Sequence, residues 1–253
     1  MSIYQKKSIC LEVAYILSKL LNKKLIIIGV AIILITAVIC VFKVETVNIS
    51  GNEICTKEEI KEHYTKGPLG NNALVIYLKD KLGAYKNIPF IRDVDISVDS
   101  RNTITIQVYE KSLVACFYYM GEYVYFDKDG MILETTKEKA ESLPCIEGIS
   151  FTGFTLNEII KLENEKQIDM VLDISELINH YKVKADRVVF SNKNEVTLYC
   201  GDIKVFLGNR DLYDQQIASV SDVIRKAMKN NLSGTIDLKD YNHGDKIILK
   251  KNQ

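Results

Sequence analysis

The residues that could do chemistry in this 253-residue chain are few and scattered. Its three histidines, His63, His180 and His243, fall in separate predicted elements, with no spacing that would let two of them share a metal or a proton. They are expected to be surface or capping residues. The 33 carboxylates show no pattern that would set two of them across a cleft. No Ser-x-x-Lys, Gly-x-Ser-x-Gly or His-Glu-x-x-His motif occurs. The expectation is a protein without catalytic residues, metal, cofactor or small-molecule substrate.

One thiol is worth weighing. Thr197-Leu198-Tyr199-Cys200, with Arg210 beyond it, resembles the end of a sortase strand, where a thiolate works with a histidine and an arginine. The threonine that the pattern places directly before the cysteine is missing. Period-2 alternation also turns Cys200 to the same side as Val196 and Leu198, which should be the core. A buried structural thiol is expected, with a sortase-like thiol transpeptidase as an alternative. Of the other cysteines, Cys10 would be cytoplasmic, and Cys40 lies in the apolar run described next. Cys55, Cys116 and Cys145 show no CxxC or metal spacing. Isolated buried thiols are expected there, although four exported cysteines also permit disulfides.

What positions these residues is a single long apolar run. After Lys23-Lys24, Leu25 to Phe42 reads LIIIGVAIILITAVICVF, without a charge, proline or amide. As a helix it would reach roughly 27 Å, close to the thickness of a bilayer's hydrocarbon core. It is longer than a signal-peptide core, and Ile39 stands where a cleavage site needs a small residue. An uncleaved membrane anchor is expected. Before it, five lysines against Glu12 give a net charge of +4; after it, 28 basic and 32 acidic residues give −4. Positive charge gathers on the cytoplasmic side, so the tail should be cytoplasmic and the remainder exported. The overall charge of zero offers no electrostatic footprint for nucleic acid.

Beyond Lys43 the period changes. Val47 and Ile49 predict a short strand, Thr56 to Glu59 a capping box opening a helix to about Tyr64, and Ala73–Ala84 a second helix with Leu74, Tyr77, Leu78 and Leu82 on its apolar face. Val94/Ile96/Val98 and Ile104/Ile106/Val108 predict a hairpin turning at Asp99 to Asn102. A β-rich unit follows from near Leu113. It has aromatic strands at Phe117–Tyr119 and Tyr123–Phe126, and a capping box at Thr155 to Glu158 opening a short helix. A further helix is predicted at Ile168–His180, and strands at Arg187–Phe190, Glu195–Cys200 and Ile203–Leu207. Asp211–Lys229 is the best exported helix, with Tyr213, Ile217, Val220, Ile224 and Ala227 stepping by four and three. Thr235–Leu238 and Lys246–Lys250 are the closing strands. The whole reads as α+β: a tail (1–24), a span (25–42), a small β-α-α-β-β unit (43–112), a β-rich domain with an antiparallel sheet (113–250) and a short end (251–253).

In this order the motifs are specific. Val47-Asn48-Ile49-Ser50-Gly51-Asn52 with Thr56-Lys57-Glu58-Glu59-Ile60, and Ile88-Pro89-Phe90-Ile91-Arg92-Asp93-Val94 with Asn102 through Lys111, resemble the opening and closing of the POTRA domain of the FtsQ/DivIB family of bacterial cell-division proteins. Phe126-Asp127-Lys128-Asp129-Gly130, Leu143-Pro144-Cys145-Ile146-Glu147-Gly148, and Leu207-Gly208 with its long helix ending at Ile236-Asp237-Leu238 are similar to signatures of that family's β domain. The sequence departs from the family where Arg101 and Leu113 replace prolines, and where Gln215-Gln216 stand in place of a lysine in the long helix. The resemblance implies a non-enzymatic scaffold of the divisome. Its partners would be bitopic coiled-coil proteins of the FtsL and FtsB/DivIC type, and its role the control of septal peptidoglycan synthesis. A POTRA-type docking module of a secretion or envelope-assembly system is the alternative.

A terminal edge strand has free amides and carbonyls and can take a partner by strand addition. The expected partner site is therefore Lys246, Ile247, Ile248, Leu249 and Lys250, with Tyr241 as an adjacent aromatic anchor. The alternative is that this strand is fully paired internally.

Overall fold

The computed structural model describes residues 23–34, 36–85, 87–164 and 166–251. The cytoplasmic-tail reading and Cys10 lie outside the described residues. Among the described residues two compact units emerge: one takes in 23–50, 57–85 and 94–107, the other 51–56, 87–93 and 108–251.

In the first unit the apolar run forms helix α1 (Lys23–Val41), long and apolar enough to cross a membrane and with none of its apolar window buried. Phe42 lies just past the helix end, with its amide still bonded to Val38 O at 3.1 Å. Strand β1 (Thr46–Ser50), helices α2 (Lys57–Thr65) and α3 (Ala73–Lys81), and strands β2 (Ile91–Ser100) and β3 (Thr103–Glu110) follow. The three strands form one sheet in the order β1-β3-β2, with β1 parallel to β3 in register from Thr46↔Thr103 to Ser50↔Gln107. Along β3, Ile104 and Ile106 turn inward and meet Ile49, Ile60, Tyr64 and Ile76 in the buried set, as the alternation predicts.

Helix α3 departs from expectation. Its buried residues are Ala73 and Ile76, while Tyr77, Leu78 and Leu82 face outward. The helix phase is set at its start. Asn72, 1% exposed, caps it by accepting from Val75 N at 3.1 Å, and the same amide reaches back to the end of α1. Gly83, at φ +63°, stops the helix short of the predicted Ala84.

The second unit is built on a nine-stranded sheet in the order β14-β13-β12-β11-β10-β7-β4-β5-β6. Its strands are β4 (Leu113–Tyr119), β5 (Glu122–Asp127), β6 (Ile132–Thr136), β7 (Cys145–Glu147), β10 (Arg187–Phe190), β11 (Val196–Cys200), β12 (Ile203–Gly208), β13 (Gly234–Asp237) and β14 (Leu249–Lys250). The expected antiparallel sheet is in fact mixed: β4 with β7, β7 with β10, and β12 with β13 pair in parallel. For the β7–β10 and β12–β13 pairs the cause lies in the connections. Helix α4 (Lys166–His180) carries the chain from β7 to β10, and α5 (Asp214–Lys229) carries it from β12 to β13. A helical crossover returns the chain in the direction it left.

Helix α4 packs against α5 and β4, burying Val171, Ile174 and Ile178. Helix α5 buries Ile217, Val220, Ile224 and Ala227, the predicted stripe. It begins three residues later than expected, because Tyr213 is drawn into the core and donates its hydroxyl to Gly208 O at 3.3 Å. The helix expected from Thr155 is a turn. Asn157 sits at φ +64° and donates to Ile132 O at 2.7 Å, and the chain then enters β9 (Lys161–Leu162), paired with β8 (Phe151–Gly153). Extended backbone there delivers Ile160, 1% exposed, to the core. A helix would have turned that residue away.

Candidate functional site

Strand β14 is the end of the sheet. After β13 the chain folds back through a tight loop in which Asn242 N donates to Asp245 Oδ2 at 2.8 Å and Asp245 N to Asn242 O at 3.0 Å. It then pairs antiparallel with β13 over Thr235↔Lys250 and Ile236↔Leu249. Gly234 makes that approach possible: a Cβ there would stand 2.3 Å from Lys250 O.

The predicted strand is shorter than expected, because only Leu249 and Lys250 are paired and 246–248 run beside the sheet without a ladder. Exposure still alternates. Ile247 and Leu249 pack on the core, while Lys246, Ile248 (56% exposed) and Lys250 face solvent. Among the described residues no strand pairs with the outer side of β14. Tyr241 behaves differently from the rest of the predicted site. It is 9% exposed and belongs to the core, so the geometry does not offer it as an exposed aromatic anchor.

Two residues that sequence reasoning met only as part of a motif hold this unit together. Glu110 accepts from three successive amides, Glu53 N at 2.9 Å, Ile54 N at 2.8 Å and Cys55 N at 2.9 Å, so that its carboxylate closes the 51–56 loop. Lys111 does the same for 87–93. Its Nζ lies 2.9 Å from Glu134 Oε2 and donates to Leu133 O at 2.8 Å, while Glu134 Oε2 accepts from Phe90 N at 3.1 Å. Ile54 and Phe90 are thereby pressed onto a second small core of Leu113, Cys116, Tyr125, Leu143 and Cys145. Only the adjacency of an acid and a base at the end of a predicted strand signals this clamp. A cleft of about 830 Å³ beside it is lined by both signs of charge, Glu110, Asp127, Lys128 and Lys182 among them, with no histidine or cysteine.

The cysteines are placed by burial. Cys200 lies on β11, fully buried, opposite Ile203. Burial, with a smaller contribution from the Asp186 charge, pushes its thiol up to about 12. The group is therefore protonated throughout the physiological range. Arg210 is engaged elsewhere, donating from Nε at 2.9 Å and Nη2 at 2.7 Å to Lys239 O. Iodoacetamide at about pH 8 should leave Cys200 unmodified in the native protein and label it only after denaturation, read from the mass of its peptide. Labelling at the rate of a free thiol would revive the thiol-transpeptidase reading.

Cys116 and Cys145 are free buried thiols, as expected, and register partners on β4 and β7. The neighbouring Cys145 thiol and burial raise Cys116, while the Cys116 thiol lowers Cys145. His63 packs on Tyr64 with ring centroids 5.2 Å apart, and His180 on Tyr181 at 4.8 Å. Among the described residues, no three His, Cys, Asp or Glu come together as a metal-holding group.

No family model matches the chain. Similar proteins do. The chain is 26% identical over 232 residues to the cell division protein DivIB of Clostridium botulinum strain Hall, covering 85% of this chain and 87% of that one. It is 27% identical over the same span to the protein of that name from the Loch Maree strain. The DivIB of Clostridium acetobutylicum is 24% identical over 203 residues, covering 79% of this chain and 78% of its own. Over about four fifths of its length or more, the chain is therefore similar to proteins named cell division protein DivIB.

Proposed function

We propose that this chain is a non-enzymatic, single-pass scaffold of the bacterial division machinery. Its N-terminal tail lies in the cytoplasm, 43–112 forms a POTRA domain, and 113–250 forms a β domain outside the plasma membrane. It holds bitopic coiled-coil division proteins of the FtsL and FtsB/DivIC type at the septum and so helps regulate septal peptidoglycan synthesis. The names of its relatives support the process. The +4 collar before α1 supports the orientation.

The observation that carries the docking role is the end of the sheet: a two-residue strand, β14, at the edge of nine, with Ile248 exposed between Lys246 and Lys250. A partner strand laid along it would extend the ladder with main-chain bonds. Ile248 would add an apolar contact, and the flanking lysines would favour an acidic partner and keep the edge soluble in its absence. Tethering partner and scaffold to one membrane raises their effective concentration, so even a short strand suffices.

Ile248→Pro removes a backbone donor at this edge and restricts Ile247. In the full-length protein it should weaken capture of such partners by at least about tenfold, with thermal unfolding unchanged. Undiminished binding by the folded variant would move the site elsewhere.

A further inference from the structure

The outward face of α3 has no role in the docking reading, and its composition is wrong for water. Tyr77 is 36% exposed, Leu78 55% and the C-cap Leu82 80%, and Leu69, in the turn before the helix, is 43% exposed beside them. Contiguous apolar exposure of this kind marks an interaction surface. What it meets can be argued from its neighbour. Helix α3 starts where α1 ends, and the junction is hydrogen-bonded. Asn72 Nδ2 donates to Ile39 O at 3.1 Å, Ala73 N to Phe42 O at 2.8 Å and Val44 N to Asn71 O at 2.7 Å. Asn72 is buried, so α3 is set against the last turn of α1 by a shielded polar clamp.

Between the two helices runs a groove of about 340 Å³ whose apolar lining includes Leu34, Val38 and Ile39 of α1 and Leu74, Val75 and Leu78 of α3. Leu34 lies seven residues before Val41, about 10 Å along the axis. If α1 spans the bilayer, Leu34 and Val38 stand in hydrocarbon, and a groove they share with Leu74 and Leu78 is filled by the same medium.

We propose that the Leu69–Leu82 face of α3 is a second membrane-contact surface, seated in the outer leaflet beside the span with acyl chains in the α1–α3 groove. The inference rests on the reading of α1 as a span. Lys79 and Lys81 lie in the last turn of α3, Lys79 Nζ donating to Pro68 O at 3.4 Å and Lys81 pairing with Asp80 and Asp95, a band of charge that suits the headgroup region. The arrangement is that of an interfacial helix, short but held at its depth by a covalently continuous anchor. It fixes the tilt of the first unit on the membrane, which a bare span could not do.

The chain contains no tryptophan, so a single introduced one reports one site. Full-length protein carrying Leu78→Trp, Leu82→Trp or Ile33→Trp would be placed in phosphatidylglycerol–phosphatidylcholine vesicles with and without brominated acyl chains. Leu82 and Ile33, 80% and 68% exposed, are probes that disturb no packing. Emission from all three should fall at least about twofold with brominated lipid and resist iodide, as for side chains below the headgroups. Quenching of Leu78→Trp and Leu82→Trp by iodide, with none by bromine, would overturn the proposal by placing the face in water. Resistance to both quenchers would overturn it by placing protein there, a second copy or a partner helix. An Ile33→Trp signal insensitive to bromine would instead refute the span, and the proposal with it.

Discussion

Gly148→Ala should cost this protein more stability than any other single-methyl change in the second unit. The expected loss is about 3–5 kcal/mol, the range of severe core lesions. Gly148 follows β7 directly, at φ +80°, a conformation L side chains adopt at a cost of about 1–3 kcal/mol. Strain is the smaller part. A Cβ there would stand 2.0 Å from Phe190 O and 3.0 Å from Phe190 C, backbone atoms that no rotamer change can move. Relief would require β7 and β10 to separate, and they are parallel neighbours in the interior of the nine-stranded sheet, with Val188 opposite Ile146. For a chain of this size, each kcal/mol lowers the melting temperature by about 2–4 °C. The detergent-solubilised variant should melt roughly 6–20 °C below the parent by circular dichroism. A shift under about 2 °C would mean that β7 and β10 are not packed this closely.

That example shows where the sequence was readable and where it was not. Elements with a periodicity of their own were legible. Helix α5 buries the stripe predicted for it, β3 alternates as expected, and α1 is the long apolar helix the charge-free run implies. Strand β7 has three residues, too few for any period, and the motif around it signals an unusual backbone without saying what that backbone approaches. The parallel pairings were hidden for a related reason. Alternation within a strand does not reveal the direction of its neighbour, whereas the helices between β7 and β10 and between β12 and β13 do once they are taken as crossovers. The apolar face of α3 is legible from its spacing, but what it meets is not. A face that meets lipid and one that meets protein share the same pattern, and only the burial of Ala73 and Ile76 separates them.

The candidate docking edge was legible in place but not in length. The alternation of 246–250 predicts a strand there, and β14 pairs with β13 alone among the described residues. The half-burial of Ile247 and Leu249 and the withdrawal of Tyr241 into the core depend on how the 238–245 loop closes, which local pattern does not determine.

Gln216→Glu is the second change with a large expected effect, and it turns a departure from the family pattern into physics. Gln216, in the first turn of α5 and 1% exposed, donates its Nε2 to Leu207 O at 2.9 Å and also to Leu238 O, while its Oε1 meets no partner. Those carbonyls close β12 and follow β13, so one amide joins both ends of the α5 crossover. The position asks for a donor, which explains how a glutamine can stand in a helix turn where a lysine is the family resemblance's expectation. An ionised glutamate would set acceptors against two carbonyls in a buried site.

The sign follows from linkage. Burial and the facing carbonyls raise the introduced carboxyl above the ordinary ~4.3, so below that pH it is protonated in both states and can donate to one carbonyl. The deficit there is about 1–3 kcal/mol, the cost of one unmade buried bond. As pH rises past ~4.3 only the unfolded state releases its proton, and the deficit grows by about 1.4 kcal/mol per unit until the folded pKa is reached. Melting curves at pH 4 and pH 7 should therefore diverge from the parent by a gap that widens with pH. Gln216→Leu, which loses the donor without adding a charge, should show a gap that stays constant. A Gln216→Glu deficit that does not change across that interval would show that the side chain reaches solvent and that the crossover is not tied there.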